Sequence, residues 1–285
     1  MAYIGPAPAN SIIATSDIED GAVTSAKLGG NIVTPGTLDV NGQEFILDAD
    51  ADSSITADTD DQVDIKVGGT DVVTLTNSSL VLKGTTPTLT IGDAGAEDTK
   101  IVFDGNAQDF YIGLDDTDDD FKIGLGSAVG TTAHIVIDET GAVTKPLQPC
   151  VFVTLASAVT NFSINTEHTI LWGTEVFDVN GDMSGSTFTA PVTGKYLMNY
   201  NIRVDNMDSD ATNYYFVLAA SNRSYYPIIN IGAWTADISY WTFTGSWIVD
   251  MDTSDTFLIK IRQEGGTAQT DLPTGDQFLT IALLN

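Results

Sequence analysis

The chain has 285 residues, with 11 Lys and Arg against 39 Asp and Glu, and a formal net charge of −28 at pH 7. Such an acidic surface repels phosphate groups, which excludes nucleic-acid binding and a polybasic membrane anchor. Hydrophobic residues make up 42% of the chain, so it folds around a core and is not a disordered acidic tail. One cysteine, Cys150, and two histidines exclude a disulfide framework and a cysteine-based zinc site.

Composition divides the chain near residue 145, because all four tryptophans follow Cys150 whereas the first half is rich in Gly, Asp and Thr. We predict an N-terminal arm (1–36), a shaft (37–145) and a knob (146–285). The arm has three prolines and too little apolar surface to fold alone, so we expect it to dock onto a partner protein. Packing of the arm against its own chain is the alternative. No segment has the length and hydropathy of a membrane span, so no membrane insertion is expected.

The shaft repeats short runs in which every second residue is apolar, each followed by a turn of Gly, Asp, Asn, Ser or Thr. This pattern predicts short strands that form a β-meander or a β-solenoid. The runs are QVDIKV (62–67), DVVTLT (71–76), TLTI (88–91), KIVF (100–103), DFYIGL (109–114), DFKIGL (120–125) and AHIVID (133–138). Such thin strands have little to bury and expose long edges, so we expect the shaft to pair with copies of itself.

The knob has longer alternating strands with larger side chains. GKYLMNYNIRVDN, DTFLIKIRQE and YWTFTGSWIVDM each place apolar residues on one face, and the absence of helical periodicity predicts an antiparallel jelly roll. The last strand, QFLTIALLN, is apolar on both faces. We therefore expect Phe278, Ile281 and Leu283 to lie in a trimer interface.

A set of structural residues occurs in FDVNGDMSGSTFTAPVTGKYLMNY. Pro191 suits a position that needs no amide and Gly194 suits a tight turn. Phe188 and Tyr196 are then expected to pack on the same inner face.

In these residues, and in GSWIVDMDTSDTFLIKI and DQFLTIALLN, residues 150–285 resemble the globular head of complement component one, subcomponent q. They also resemble the tumour necrosis factor superfamily, which shares its jelly roll. The resemblance implies a trimeric all-β knob. The chain departs from the family at one turn, where it has Ser254 and Asp255 in place of the usual Gly-Asp pair.

The N-terminal half resembles bacteriophage fibre and appendage proteins in the phrases DIEDGAVTSAKL, FILDADADSSITADTDDQVDIKV and HIVIDETGAVT. The resemblance implies a homotrimeric viral fibre, such as a bacteriophage tail fibre, exposed on the virion after assembly in the host cytoplasm. Its arm would dock on a virion tail or capsid protein, and its knob would bind a host-surface glycan or protein. The alternatives are a capsid decoration or head fibre of the same fold, a cellular adhesin, and a glycan-cleaving fibre.

Candidate chemistry is sparse. The chain has no GxSxG, HExxH or P-loop motif, so we predict that it is not an enzyme. The acidic run at residues 115–120 is interpreted as a solvated turn, with a calcium site as the alternative. Asp48, Asp50 and Asp52 are interpreted as the wet face of a strand.

A second calcium candidate consists of Asp178, Asn180 and Asp182, whose oxygen atoms alternate as in a calcium loop. Met183 stands where such a loop needs Gly, and no other cofactor is indicated. Cys150 is interpreted as a buried thiol.

Receptor binding is assigned to the loop SNRSYYPIINIGAWTADISYW, in which Tyr225, Tyr226 and Trp234 fall outside the clean alternation. Aromatic side chains on loops suit stacking on sugars or anchoring to a protein. The alternative is that these rings only plug the end of the jelly roll or the trimer axis.

Overall fold

The computed structural model describes residues 19, 37, 38, 40, 42–275 and 277–284. The regular elements among them are all β-strands, and the strands pair antiparallel, which confirms the predicted all-β class. The chain divides into two compact units, Met1–Thr90 and Ile91–Asn285. Apart from Glu19, the predicted arm of residues 1–36 lies outside the described residues.

The first unit contains a five-stranded sheet in which each strand pairs with the next one along the chain. We call it the first meander. Its strands are β1 (Phe45–Ile46), β2 (Ser54–Thr56), β3 (Gln62–Val67), β4 (Thr70–Thr76) and β5 (Leu80–Leu82). The turn between β3 and β4 uses Gly68 and Gly69 at φ 57° and 73°, the conformation that a two-residue hairpin favours.

A second five-stranded sheet of the same topology, the second meander, begins the other unit. Its strands are β6 (Thr99–Phe103), β7 (Phe110–Asp115), β8 (Asp120–Leu125), β9 (Ala133–Ile137) and β10 (Val143–Thr144). Of the two predicted shaft architectures, the meander is the one that forms. The predicted strand TLTI (88–91) is wrong, because this segment follows Pro87 and has no neighbouring strand with which to pair.

Strands β11–β24 form a sandwich of two seven-stranded sheets. The first sheet contains β11 (Cys150–Leu155), β12 (Val159–Phe162), β14 (Trp172–Asp178), β17 (Gly194–Met207), β21 (Ile238–Met251), β23 (Thr270–Leu272) and β24 (Phe278–Leu283). The second contains β13 (His168–Thr169), β15 (Met183–Ser184), β16 (Thr187–Thr189), β18 (Ala211–Ala220), β19 (Ser224–Tyr225), β20 (Ile228–Asn230) and β22 (Thr256–Gly265).

The long strands of the sandwich alternate between the two sheets along the chain, which is the jelly-roll arrangement that the sequence predicts. Each strand turns one face inward, as in β17, where every second side chain from Tyr196 to Val204 is buried. The core lies between the sheets and contains large rings, including Trp172, Phe188 and Phe257.

The connector between the second meander and the sandwich is tied to the last strand. The amide of Leu283 donates to the carbonyl of Pro149 (3.0 Å), and Gln148 Nε2 donates to the carbonyl of Leu283 (2.6 Å). The division between the compact units falls after residue 90, whereas the predicted boundary at 145/146 falls between β10 and β11. The division into 1–36, 37–145 and 146–285 stays a prediction.

Candidate functional site

The first meander exposes its apolar face. Ile55 pairs with Ile65, and Val63 pairs with Leu75, so these side chains lie on one side of the sheet, where Ile55, Val63 and Leu75 are exposed. The opposite side carries Asp64 and other polar residues, which are buried. Asp64 accepts hydrogen bonds from Thr74 and from Gln62 (2.5 Å). Within the described chain, the polar side is satisfied and the apolar side has no cover.

The second meander has the same arrangement, with exposed apolar side chains on one face and buried polar or aromatic side chains on the other. Its pairings place one set of apolar side chains on a single face, and the exposed members are Ile101, Phe103, Phe110, Leu114, Phe121 and Val143. The other face holds the fully buried ring of Tyr111, whose hydroxyl accepts a hydrogen bond from the amide of Gly130 (3.1 Å). A Cβ at Gly124 would lie 2.4 Å from that hydroxyl, so the glycine makes room for the ring.

The acidic turn of the second meander is exposed at residues 116–119, as expected of a solvated turn, whereas Asp115 at its start is buried. Lys122 is buried and donates to Asp115 (2.7 Å) and to Asp118 (2.5 Å). The hydrogen bond from Lys122 lowers the pKa of Asp115. Burial alone would lower the pKa of Lys122, but the bonds to the two carboxylates outweigh burial and raise it. The ammonium group of Lys122 therefore offsets the charges of Asp115 and Asp118.

The outward face of the first sandwich sheet carries an aromatic cluster, formed by Phe152, Phe177 and Phe278. Phe152 lies 5.8 Å from Phe177 and 5.7 Å from Phe278 between ring centroids. Phe278 thus points away from the core, where another copy could reach it. Leu283 packs partly against the core. Ile281 is only 1% exposed and points into its own sandwich, which corrects its assignment to an interface.

A groove opens between the two sheets, where it is lined by β20 of the second sheet and β21 of the first. It has a volume of about 340 Å³ and reaches the core rings of Tyr200, Phe216 and Phe243. The exposed side chains of Ile228 and Trp241 also line it. The sandwich therefore has two different apolar surfaces, the aromatic cluster on β11, β14 and β24 and this groove.

The three predicted receptor residues do not form one site. Tyr225 packs against the core and lies 5.9 Å from Trp247, and Trp234 also packs against the core, 5.9 Å from Trp241. These positions favour the predicted alternative, in which the rings plug the sandwich. Tyr226 points outward and is 57% exposed.

The ring next to Tyr226 is Tyr215, which in turn contacts Arg262, and the sequence analysis selected neither residue. Both lie at outward positions of regularly alternating strands. A polar or aromatic side chain at such a position fits the alternation, so the sequence pattern does not mark it as functional. The available signal was Tyr215 itself, a large ring on the solvent side of β18.

The structural motif forms as predicted. Phe188 and Tyr196 are buried, with ring centroids 5.4 Å apart. Tyr196 donates through its hydroxyl to the carbonyl of Val192 (2.7 Å), just after Pro191, and Gly194 begins β17. At the turn that departs from the family, Ser254 adopts φ 74°, the left-handed conformation that glycine favours.

The predicted calcium loop is closed by its own backbone. The two carboxylate oxygens of Asp178 accept hydrogen bonds from the amides of Asp182 (2.9 Å) and Met183 (2.8 Å), and Asn180 donates to the carbonyl of Leu147. Burial and then the negative charge of Asp178 raise the pKa of Asp182. Asp178 thus stabilises the loop. The lone pairs that accept from those two amides are not free to bind a calcium ion.

The other acidic group lies in the loop between β1 and β2 and not on a strand, which corrects its interpretation as a strand face. One carboxylate oxygen from each of Asp48, Asp50 and Asp52 lies within 4.8 Å of the others. Asp48 accepts a hydrogen bond from the amide of Ser53 (3.3 Å). Exposed acidic loops of this kind are common without a metal ion.

In the part of the chain that the structure describes, no helix has the length and hydropathy to span a membrane. No protein-family model matches the sequence, and no curated protein matches it. Solved structures do match at low identity. Murine APRIL at pH 8.0 is 13% identical, with a TM-score of 0.36 over 48% of this chain and 99% of that one. The globular domain of zebrafish complement 1qA protein is 11% identical, with a TM-score of 0.37 over 48% and 98%.

Proposed function

We propose that the chain is one protomer of a homotrimeric viral fibre or appendage, such as a bacteriophage tail fibre. In this proposal residues 1–36 dock on the particle and the sandwich faces a host surface. The observation that carries the proposal is the pair of uncovered apolar faces on the two meanders. Monomeric proteins rarely expose contiguous apolar patches of more than a few hundred Å². A second and a third copy of the same sheet can cover these apolar faces without any further polypeptide.

The sandwich supports a ring of three copies. Its aromatic cluster lies on the first sheet, whereas its groove lies between the two sheets, so a contact between these two surfaces is heterologous. Heterologous contacts form a closed ring if the rotation between copies allows it, and three is the smallest such ring. Phe177 and Phe278 are the rings that such a contact would bring toward the groove of the next copy.

The repeated meander supports a spacer. Two sheets of the same topology follow each other in the chain, and each has an exposed apolar face and a buried polar residue on the opposite face. Repetition of the same sheet is typical of a segment that serves as a spacer. Together with the likeness of the first half to bacteriophage fibre proteins, it favours a role that holds the sandwich away from the particle.

The proposed attachment of residues 1–36 to a virus particle can be tested on purified particles. Immunogold labelling with antibodies against the sandwich should decorate released virus particles, and a chain that lacks residues 1–36 should still form trimers but should no longer be incorporated. Label found on cells and absent from particles, or normal incorporation of the truncated chain, would contradict the proposal.

A further inference from the structure

The second sandwich sheet carries an unusual group of side chains on its outward face, which we call the tyrosine–arginine patch (Tyr215, Tyr226 and Arg262). Tyr215 and Arg262 are direct neighbours across β18 and β22. The guanidinium carbon of Arg262 lies 5.8 Å from the centroid of the Tyr215 ring. The Tyr226 ring meets Tyr215 edge to face, with centroids 6.4 Å apart and an angle of 61° between the rings.

Polar groups border these rings. Arg262 Nη2 donates to Glu264 Oε2 (2.6 Å), and Asn213 lies directly opposite Glu264 on the neighbouring strand. Two atoms, Arg262 Nε and Asn213 Oδ1, are buried without a hydrogen-bond partner. One is a donor and the other an acceptor, and buried groups of this kind are normally satisfied. A hydroxyl group can accept and donate at once, so its chemistry matches both kinds of atom.

We propose that the tyrosine–arginine patch binds an uncharged glycan. A pyranose ring offers apolar C–H faces that stack on aromatic rings, and hydroxyl groups that bond to planar amide, carboxylate and guanidinium groups. The patch offers both, with Tyr226 57% exposed against one side of Tyr215 and the planar groups of Arg262 and Glu264 on β22, the strand on the other side. The inference rests on the proposed function, in which the sandwich faces a host surface, and names the ligand class and the face.

The charge of the patch selects the kind of glycan. Arg262 is paired with Glu264, so the patch offers no free positive charge to an acidic sugar. The whole chain carries a net charge of −28, which repels anions at longer range. A neutral glycan avoids this repulsion and meets only short-range stacking and hydrogen bonding.

The two outward faces of the sandwich differ in a way that separates the ligand from the copies. The first sheet presents three phenylalanines, which offer no hydrogen bonds and suit a dry contact with another copy. The patch on the second sheet combines rings with donors and acceptors. Tyr215 and Arg262 lie on the paired strands β18 and β22, so they are held before the ligand arrives and less entropy is lost on binding. Tyr226 lies in the short loop between β19 and β20.

The test uses the full-length protein and an array of neutral bacterial surface polysaccharides and oligosaccharides. Wild type should bind at least one of them. Tyr226→Ala should weaken that binding about tenfold or more, because one aromatic contact of this kind contributes on this scale. Tyr226→Phe should retain it, since the ring remains. The matched control is Tyr240→Ala, which removes a ring that is 61% exposed and lies 4.8 Å from Arg203 on the first sheet.

Wild-type binding to none of the neutral glycans would overturn the inference, as would equal losses in Tyr226→Ala and Tyr240→Ala. Loss of cell attachment in Tyr226→Ala without glycan binding by wild type would mean a protein receptor, and would also overturn it. The mass of each variant in solution is measured in parallel. A monomeric wild type would count against the proposed function, whereas trimers that bind no glycan would count against the patch alone.

Discussion

The two meanders and the sandwich use the same period-two alternation of apolar and polar side chains, with opposite results. In the sandwich two sheets face each other, so Tyr196, Met198 and Phe188 are buried within one chain. Each meander is a single sheet whose apolar face carries exposed side chains in the described part of the chain, and Phe103 is 61% exposed. Alternation therefore specifies which face is apolar, but the number of layers decides whether one chain can cover it.

The buried polar faces of the meanders complete this contrast. Asp64 and Asp115 are covered by their own sheet and are paired with Lys83 and Lys122. A charge in such a position requires a partner, and the chain supplies one in each sheet. The polar face is thus satisfied within the chain, whereas the apolar face is the one that we propose other copies cover.

The largest expected effect on stability is in the sandwich, whose core lies within one chain. Phe188→Ala removes a fully buried ring and should lower the free energy of unfolding by about 3–5 kcal/mol. The four tryptophans all lie in the sandwich, so their fluorescence during denaturation reports this loss. The loss should be the same at every protein concentration, because the contacts lie within one chain.

Phe103→Ala is the matched change in the second meander. Because Phe103 is exposed in the chain alone, its contribution should come from contact with copies and should depend on protein concentration. A concentration-independent loss of the same size as that of Phe188→Ala would remove the contrast between the two regions.

The next effect concerns the buried charge of the second meander. Lys122→Met leaves Asp115 buried without its ammonium partner and should cost about 2 kcal/mol, less than a deep ion pair because a single sheet admits water. Hydrogen exchange of the β7 and β8 amides measures it. The double variant with Asp115→Asn should regain part of the loss, and failure to do so would show that the two side chains are not coupled.

Acid should weaken the same region. The hydrogen bond from Lys122 lowers the pKa of Asp115 in the folded chain, so its stabilisation is complete above the unfolded pKa and is lost as the pH falls through the folded one. Exchange protection of β7 and β8 should therefore fall below about pH 4. In Lys122→Met this pH dependence should be much weaker, and an unchanged acid profile would contradict the assignment.

The fold was largely predictable, because alternation marks strands in both halves and the Phe188 to Tyr196 spacing marks a buried pair. Trp234 and Tyr225 were harder, since a ring that breaks alternation can either project or fold back over the core. TLTI shows a related limit, since Pro87 and the lack of a pairing strand outweigh three favourable residues. The strand that contains Ile281 is apolar on both faces. Its sequence therefore does not indicate which face packs in the core of its own sandwich.

A smaller effect is expected at the turn where the chain departs from the family pattern. Ser254 has φ 74°, so Ser254→Gly should relieve strain and raise the free energy of unfolding by about 0.5–1 kcal/mol. Asp255 holds this turn by accepting a hydrogen bond from the amide of Asp252 (2.9 Å), and the variant keeps that bond. Destabilisation by glycine would show that the serine side chain supports the turn.

The central claim is that copies of the chain cover the apolar faces of the meanders, and light scattering on two matched variants tests it most directly. Leu75 is 40% exposed on the apolar face and Val81 is 43% exposed on the polar face of the same sheet. Wild type and Val81→Asp should have a mass of about three times 30.2 kDa, whereas Leu75→Asp should dissociate or assemble incorrectly, since a carboxylate cannot enter a dry contact. A stable wild-type monomer at micromolar concentration, or equal masses for the two variants, would contradict the claim.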